Sequence, residues 1–164
     1  MTQQIQDVIS LEGDQFVLAG WDGTEAPFDP KTFDLEAQMI STACWRGWHV
    51  SLAIHNRCLV LDSLHIGLPE ELLCDVPPEE APKVFGKPLQ RYEYRCQVYS
   101  DEEGGWVDKL QLSSEARATD IGGAVLWDGH LLLGSDSRPF AILAHPAWYY
   151  RKIIECEFVR GVHV

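Results

Sequence analysis

The sequence predicts a mainly β protein, with antiparallel strands in one curved sheet or two packed sheets and little helix. Three observations carry this. Residues 48–54 alternate with period 2. Asp128-Gly129 sits as a two-residue turn between two apolar runs. Near the end, Ile154, Cys156 and Phe158 alternate with Glu155 and Glu157. The 164 residues, 46% hydrophobic and 23% charged, suit one globular domain over 1–164.

The elements follow in chain order. A strand is predicted over 15–19. Residues 33–42, with Leu35, Ala37, Met39 and Ile40, fit either a strand or a short helix. Over 48–54, Trp48, Val50, Leu52 and Ile54 share one face and His49, Ser51, Ala53 and His55 the other. His55-Asn56-Arg57 turns the chain into 58–66 (CLVLDSLHI), whose early part is apolar on both faces, completing a β-hairpin. Five prolines, Pro69, Pro77, Pro78, Pro82 and Pro88, make 69–90 a loop-rich connector with one helical turn at 70–73. Strands are predicted over 91–99 and 106–112. A second hairpin joins 123–127 through Asp128-Gly129 to 130–133, because glycine accepts the positive φ of that turn. Further strands are expected at 140–143 and 152–159. Pro146 and the aromatics Trp148, Tyr149 and Tyr150 form a rigid corner before the last strand, which closes the sheet. The two hairpins are alike in layout, but their identity is too low to assert a repeat.

Acidic residues outnumber basic ones 25 to 13, a formal charge of -12. Such a surface repels phosphate backbones and anionic lipid, which argues against nucleic-acid and membrane partners. No apolar run approaches the roughly 20 residues of a spanning helix. The start has neither the basic nor the apolar region of a signal peptide, so a cytoplasmic protein is expected. The five cysteines, Cys44, Cys58, Cys74, Cys96 and Cys156, are odd in number and lack CxxC pairs, as reduced thiols do. Cys58 and Cys96 lie in strand-like stretches and read as small hydrophobes.

The charge is uneven: residues 1–82 hold 14 acids and 3 bases. Glu70, Glu71, Asp75, Glu79 and Glu80 form one run, and Asp101, Glu102, Glu103 and Asp108 surround Gly104-Gly105. Each run reads as a solvated loop or as a docking surface for a basic partner, since clustered charge steers encounter. Trp106 follows the second run and either anchors a contact or opens the next strand inward.

No constellation carries a catalytic signature. His49, His55, Cys58 and His65 offer four potential metal ligands, but Cys58 and His65 have opposite parity on one strand and His55 borders a turn. No metal site is expected from them. Gly104-Gly105 and Gly122-Gly123 lack the spacing of a phosphate loop, so no cofactor is expected. Cys44 lies near His49 and Arg46 without a nucleophile elbow around it. Of the six tryptophans, Trp48 and Trp127 read as core. In Trp45-Arg46-Gly47-Trp48, Gly47 gives backbone freedom. Arg46 stacks on an indole, pairs with a carboxylate such as Asp62, or serves as an anion handle.

The stretch Ser41-Thr42-Ala43-Cys44-Trp45-Arg46-Gly47-Trp48, the strand Leu59-Val60-Leu61-Asp62-Ser63-Leu64 and the late His-Pro-Ala-Trp-Tyr-Tyr resemble small uncharacterised bacterial proteins. These patches cover about a third of the chain. Such proteins are similar to the cytosolic immunity proteins of polymorphic or contact-dependent toxin systems. The resemblance implies a non-enzymatic protein that neutralises a toxin domain by direct binding, and no catalytic residues. The expected contact residues are Glu79, Glu80, Asp101, Glu102, Glu103 and Trp106, the acids meeting Lys or Arg of the partner. The alternative is a small-ligand-binding or enzymatic β domain with a pocket around Cys44, Arg46, Trp48 and His49.

Overall fold

Strand pairing organises the computed structural model, which describes residues 5–22, 25–73, 76–137 and 149–164. The strands are β1 (Val8–Leu11), β2 (Asp14–Asp22), β3 (Trp48–His55), β4 (Cys58–Ile66), β5 (Lys83–Val84), β6 (Lys87–Pro88), β7 (Gln90–Ser100), β8 (Gly105–Ala118), β9 (Gly123–Ala124), β10 (Gly129–Ser137), β11 (Tyr150–Val159) and β12 (Val162–His163). Among the described residues, helical geometry is confined to two 3-10 turns, Pro30–Phe33 and Glu70–Leu72, and to Tyr149. Among the described residues, no helix is long and apolar enough to cross a membrane. The mainly β class is what the alternation predicts.

The main sheet runs β12-β11-β10-β2-β1-β3-β4-β8-β7, and β12 also pairs with β4 through Val162 and Cys58. Seven strands therefore form a closed ring. Backbone bonds seal the join: Leu59 N–H donates to Gly161 O (2.8 Å) and His163 N–H to Arg57 O (2.7 Å). The inward residues Ile9, Phe16, Val50, Leu52, Leu131 and Phe158 are buried in one apolar core. One pair, β1 with β3, is parallel, whereas the sequence reading expected antiparallel pairing throughout.

The hairpin of β3 and β4 forms as predicted, with Trp48 opposite Ile66 and His55 opposite Cys58. Its inward positions on β4 are Leu59, Leu61, Leu64 and Ile66, a spacing of 2, 3 and 2. The extra residue is a β-bulge: Ser51 faces Ser63 but Leu52 faces Leu61. The pleat flips there, so Cys58, Asp62 and His65 all lie on the outer side. This corrects the parity argument, which placed Cys58 and His65 on opposite faces. It also leaves Cys58 exposed rather than packed as a small hydrophobe.

The second hairpin does not form. β9 pairs with β4, opposite Val60 and Leu61, while β10 pairs with β2 and β11. Long-range ladders take both strands that the Asp128-Gly129 signal would join locally. Of residues 33–42, only Phe33 is helical, as the last residue of the first 3-10 turn, and the rest form neither strand nor helix. Their backbone bonds go elsewhere, Gln38 N–H to Gly67 O (2.8 Å) and Ile40 N–H to Cys44 O (3.3 Å). Gly47 has φ of +79°, and a Cβ there would lie 2.2 Å from Gln38 O, so glycine is required. The helical turn in the connector is present, and a small β5–β6 pair follows it. The predicted strand at 140–143, the corner residues Pro146 and Trp148, and Cys74 and Asp75 lie outside the described residues.

Strand β8 is longer than predicted, reaching Ala118, and pairs with β4 only at Leu64, His65 and Ile66. Beyond that root, β7 and β8 continue together as an arm. Between residues 93 and 112 no residue is buried.

β11 contributes buried Cys156 and Phe158 and β12 completes the ring, as the predicted closing role requires. Deletion of residues 146–164 should therefore give insoluble protein. A soluble truncation with native circular dichroism would contradict that closure.

Candidate functional site

Two bulges bring a polar cluster together at the root of the arm. The first, on β4, turns His65 outward, directly opposite His49 of β3. The second lies where Arg91 faces Ala116 but Glu93 faces Leu112, so β8 spends extra residues. Ser113, buried in this bulge, accepts from Tyr92 N–H (3.1 Å) and donates to Glu115 O (2.6 Å), replacing ladder bonds. The detour carries Glu115 to the outer face beside His65. Bulges re-aim side chains in this way.

The cluster is well connected. His65 Nδ1 lies 3.2 Å from Glu115 Oε1, and Tyr92 Oη donates to the same oxygen at 2.6 Å. The His49 and His65 rings stack at 4.5 Å and 16°, and His65 meets Tyr92 edge-on at 5.7 Å. The Arg117 guanidinium covers Tyr92 at 4.0 Å. Side-chain exposure is 21% for His65 and 14% for Glu115, so the cluster is shielded but open to solvent.

Its electrostatics follow from these contacts. The hydrogen bond from His65 holds the Glu115 carboxyl below its ordinary range, against the opposing effect of burial. Burial, aided by the neighbouring His65, lowers the His49 imidazole and favours its neutral form. Burial and the bond to Glu115 push the Tyr92 phenol up to about 12, keeping it a donor. Among the described residues, His49, His65 and Glu115 form the one group of three potential metal ligands, their atoms within 4.8 Å of one another. Sequence reasoning weighed His49 and His65 but missed Glu115, which lies beyond the predicted end of its strand.

The alternative pocket is not assembled as expected. Trp48 and His49 are adjacent on β3 and point to opposite faces. Arg46 and Trp48 line a cleft of about 310 Å³ with Phe28, Asp29 and Lys31, and neither Cys44 nor His49 lines it. Arg46 stacks on Trp48 at 4.1 Å, as one reading expected, but its carboxylate partner is Asp7 rather than the exposed Asp62. Asp7 is buried and also accepts from Val50 N–H at 2.8 Å, so this pair ties the start of β1 to β3. The Cys44 thiol donates to Trp48 O at 3.5 Å, and burial pushes its pKa up, the reverse of an activated nucleophile.

The predicted contact residues fall in two places. Asp101, Glu102 and Glu103 form the exposed turn at the tip of the arm, with Trp106 beside them, 69% exposed. Trp106 meets Tyr99, its cross-strand partner, edge-on at 5.8 Å. Glu79 and Glu80 are exposed in the turn 77–81 of the connector, whose last residue, Ala81, is buried. Among the described residues no hydrogen bond or ion pair joins them to the tip. A cleft of about 320 Å³ between connector and arm is lined by Leu72, Leu73, Val76, Leu89, Arg91 and Leu112, among others.

Glu115→Ala should cost about 1–3 kcal/mol in urea unfolding, because Tyr92 Oη and the His65 ring lose their acceptor. The folded pKa of Glu115 lies below the unfolded one. The stabilisation is thus present above the ordinary value of 4.5 and lost as pH falls through the folded value, a loss the variant should lack. Unchanged stability at neutral pH would show that the cluster does not hold the arm.

Compared with known proteins, the chain matches no family model, no curated protein and no solved structure.

Proposed function

We propose that the protein is a non-enzymatic binding protein whose β7–β8 arm docks a basic protein partner, and that it serves as an immunity protein against a cognate toxin. The supporting observation is the outer half of the arm. Tyr99, Trp106, Leu110 and Leu112 are each more than half exposed on one face of a two-stranded ribbon. A ribbon of this kind is marginal alone, and apolar surface left in water is retained where something covers it.

The polar surroundings indicate what covers it. Residues 101–108 contain four acids and no Lys or Arg. Acids around an aromatic anchor suit a basic surface with a pocket: the charges steer the encounter and Trp106 supplies buried contact area. The cleft beside Leu112 extends this face towards the connector carrying Glu79 and Glu80. The toxin role adds the resemblance of residues 41–48 and 59–64 to immunity proteins, and the acidity of the chain is compatible with it.

Tagged protein incubated with a lysate of the source organism and eluted by a salt gradient should retain one basic toxin domain stoichiometrically. Against that partner, Trp106→Ala should lose at least about 2 kcal/mol, roughly 30-fold in Kd. Its folding stability should move by no more than about 0.5 kcal/mol. The pair Glu102→Lys and Glu103→Lys should slow association, most at low salt. Recovery of no partner, or affinity unchanged by these substitutions, would contradict the reading.

A further inference from the structure

The cluster at the root of the arm has a donor set that its structural role does not require. One imidazole comes from β3, one from β4 and one carboxylate from β8, three strands held in register by separate ladders. Anchoring the arm needs only the bonds from His65 and Tyr92 to Glu115. His49 adds a stacked ring and a second nitrogen base, not a further hydrogen bond to the carboxylate.

We propose that His49, His65 and Glu115 form a binding site for one divalent ion of the zinc class. Two nitrogens and one carboxylate oxygen are a ligand set that zinc accepts, leaving a fourth position for water or another donor. In a tetrahedral site with Zn–N bonds of about 2.0 Å, neighbouring donors stand about 3.3 Å apart. The present 4.8 Å spread must contract by about 1.5 Å, within the reach of ring rotation and of the Glu115 terminal torsion. His65 Nδ1 is the atom already facing Glu115. Stacked rings aim their lone pairs in parallel, so His49 tilts toward Glu115 on binding. The Nδ1–H···Oε1 bond gives way to two metal bonds, and the imidazole proton is carried on Nε2 instead.

The surroundings suit a metal. Tyr92 Oη donates to the ligating carboxylate, the kind of outer support that orients metal ligands. Arg117 covers the Tyr92 ring, and the positive charge of Arg46 also acts on His49, opposing the charged imidazole. The exposure of His65 and Glu115 gives an ion a path from solvent. The site is independent of what docks on the arm.

The test uses tag-free full-length protein, stripped with EDTA and titrated with Co²⁺ as a spectroscopic probe and then with Zn²⁺ as competitor. One equivalent of Co²⁺ should bind with the intense visible absorption of a low-coordinate site, and one equivalent of Zn²⁺ should displace it. His49→Ala and His65→Ala should each weaken binding at least tenfold, the lower end of the about 10–100-fold that even outer-shell changes cost. His130→Ala, which removes the separate His130–Glu155 pair (2.9 Å), should leave it unchanged. Should a variant fail to fold, nitrogen-15 spectra of the wild-type imidazoles decide. Zn²⁺ should shift His49 and His65 and move the His65 proton from Nδ1 to Nε2. No saturable Co²⁺ binding, binding equally tight in both histidine variants, or Zn²⁺-induced shifts confined to other histidines would overturn the assignment.

Discussion

Strand β4 has one edge to share among three segments, and most of the architecture follows from how it is divided. Its other edge is fully taken by β3. Along the shared edge, Cys58 pairs with β12, Val60 and Leu61 with β9, and Leu64, His65 and Ile66 with β8. The first contact closes the ring and so removes the exposed edges that an open sheet of this size would present. The last gives β8 only three residues of support. A hairpin of eleven- and fourteen-residue strands held at three positions has to project.

The bulge sits at the handover between β9 and β8. Asp62, the extra residue, is exposed, and its carbonyl accepts from Ile121 N–H at 3.0 Å, so this carbonyl keeps a partner where the ladder is disrupted. Flipping the pleat keeps Leu64 and Ile66 inward while turning His65 out. The matching detour on β8, held by Ser113, does the same for Glu115. The polar cluster is thus a product of two local irregularities, and it lies where leverage on the arm is greatest. Docking at the tip and metal at the root would act on one element from its two ends.

How much of this was legible depended on range. Trp48, Val50, Leu52 and Ile54 announce their strand because alternation is local, and the tip residues announce a turn through Gly104-Gly105 and their charge. The bulge was also legible, in the 2, 3 and 2 spacing of Leu59, Leu61, Leu64 and Ile66, although simple parity passes over it. What the sequence hid was pairing at a distance. Asp128-Gly129 carries a strong local turn signal, yet β2 and β11 claim β10. Arg46 finds Asp7 because β1 lies parallel to β3, a neighbourhood that nothing near Arg46 encodes. Glu115 stayed hidden because Ala116 and Ala118 are small inward residues that scarcely mark a strand.

The claim on which the account turns is that the arm beyond its root receives no support from the ring. Amide hydrogen exchange of the isolated protein tests it directly. Amides of β3, β4 and β10 should be protected up to the global stability, whereas those of residues 93–112 should exchange through local opening of much lower free energy. An arm as well protected as the β3–β4 ladder would contradict the account, because its apolar face would then already be covered by the protein itself.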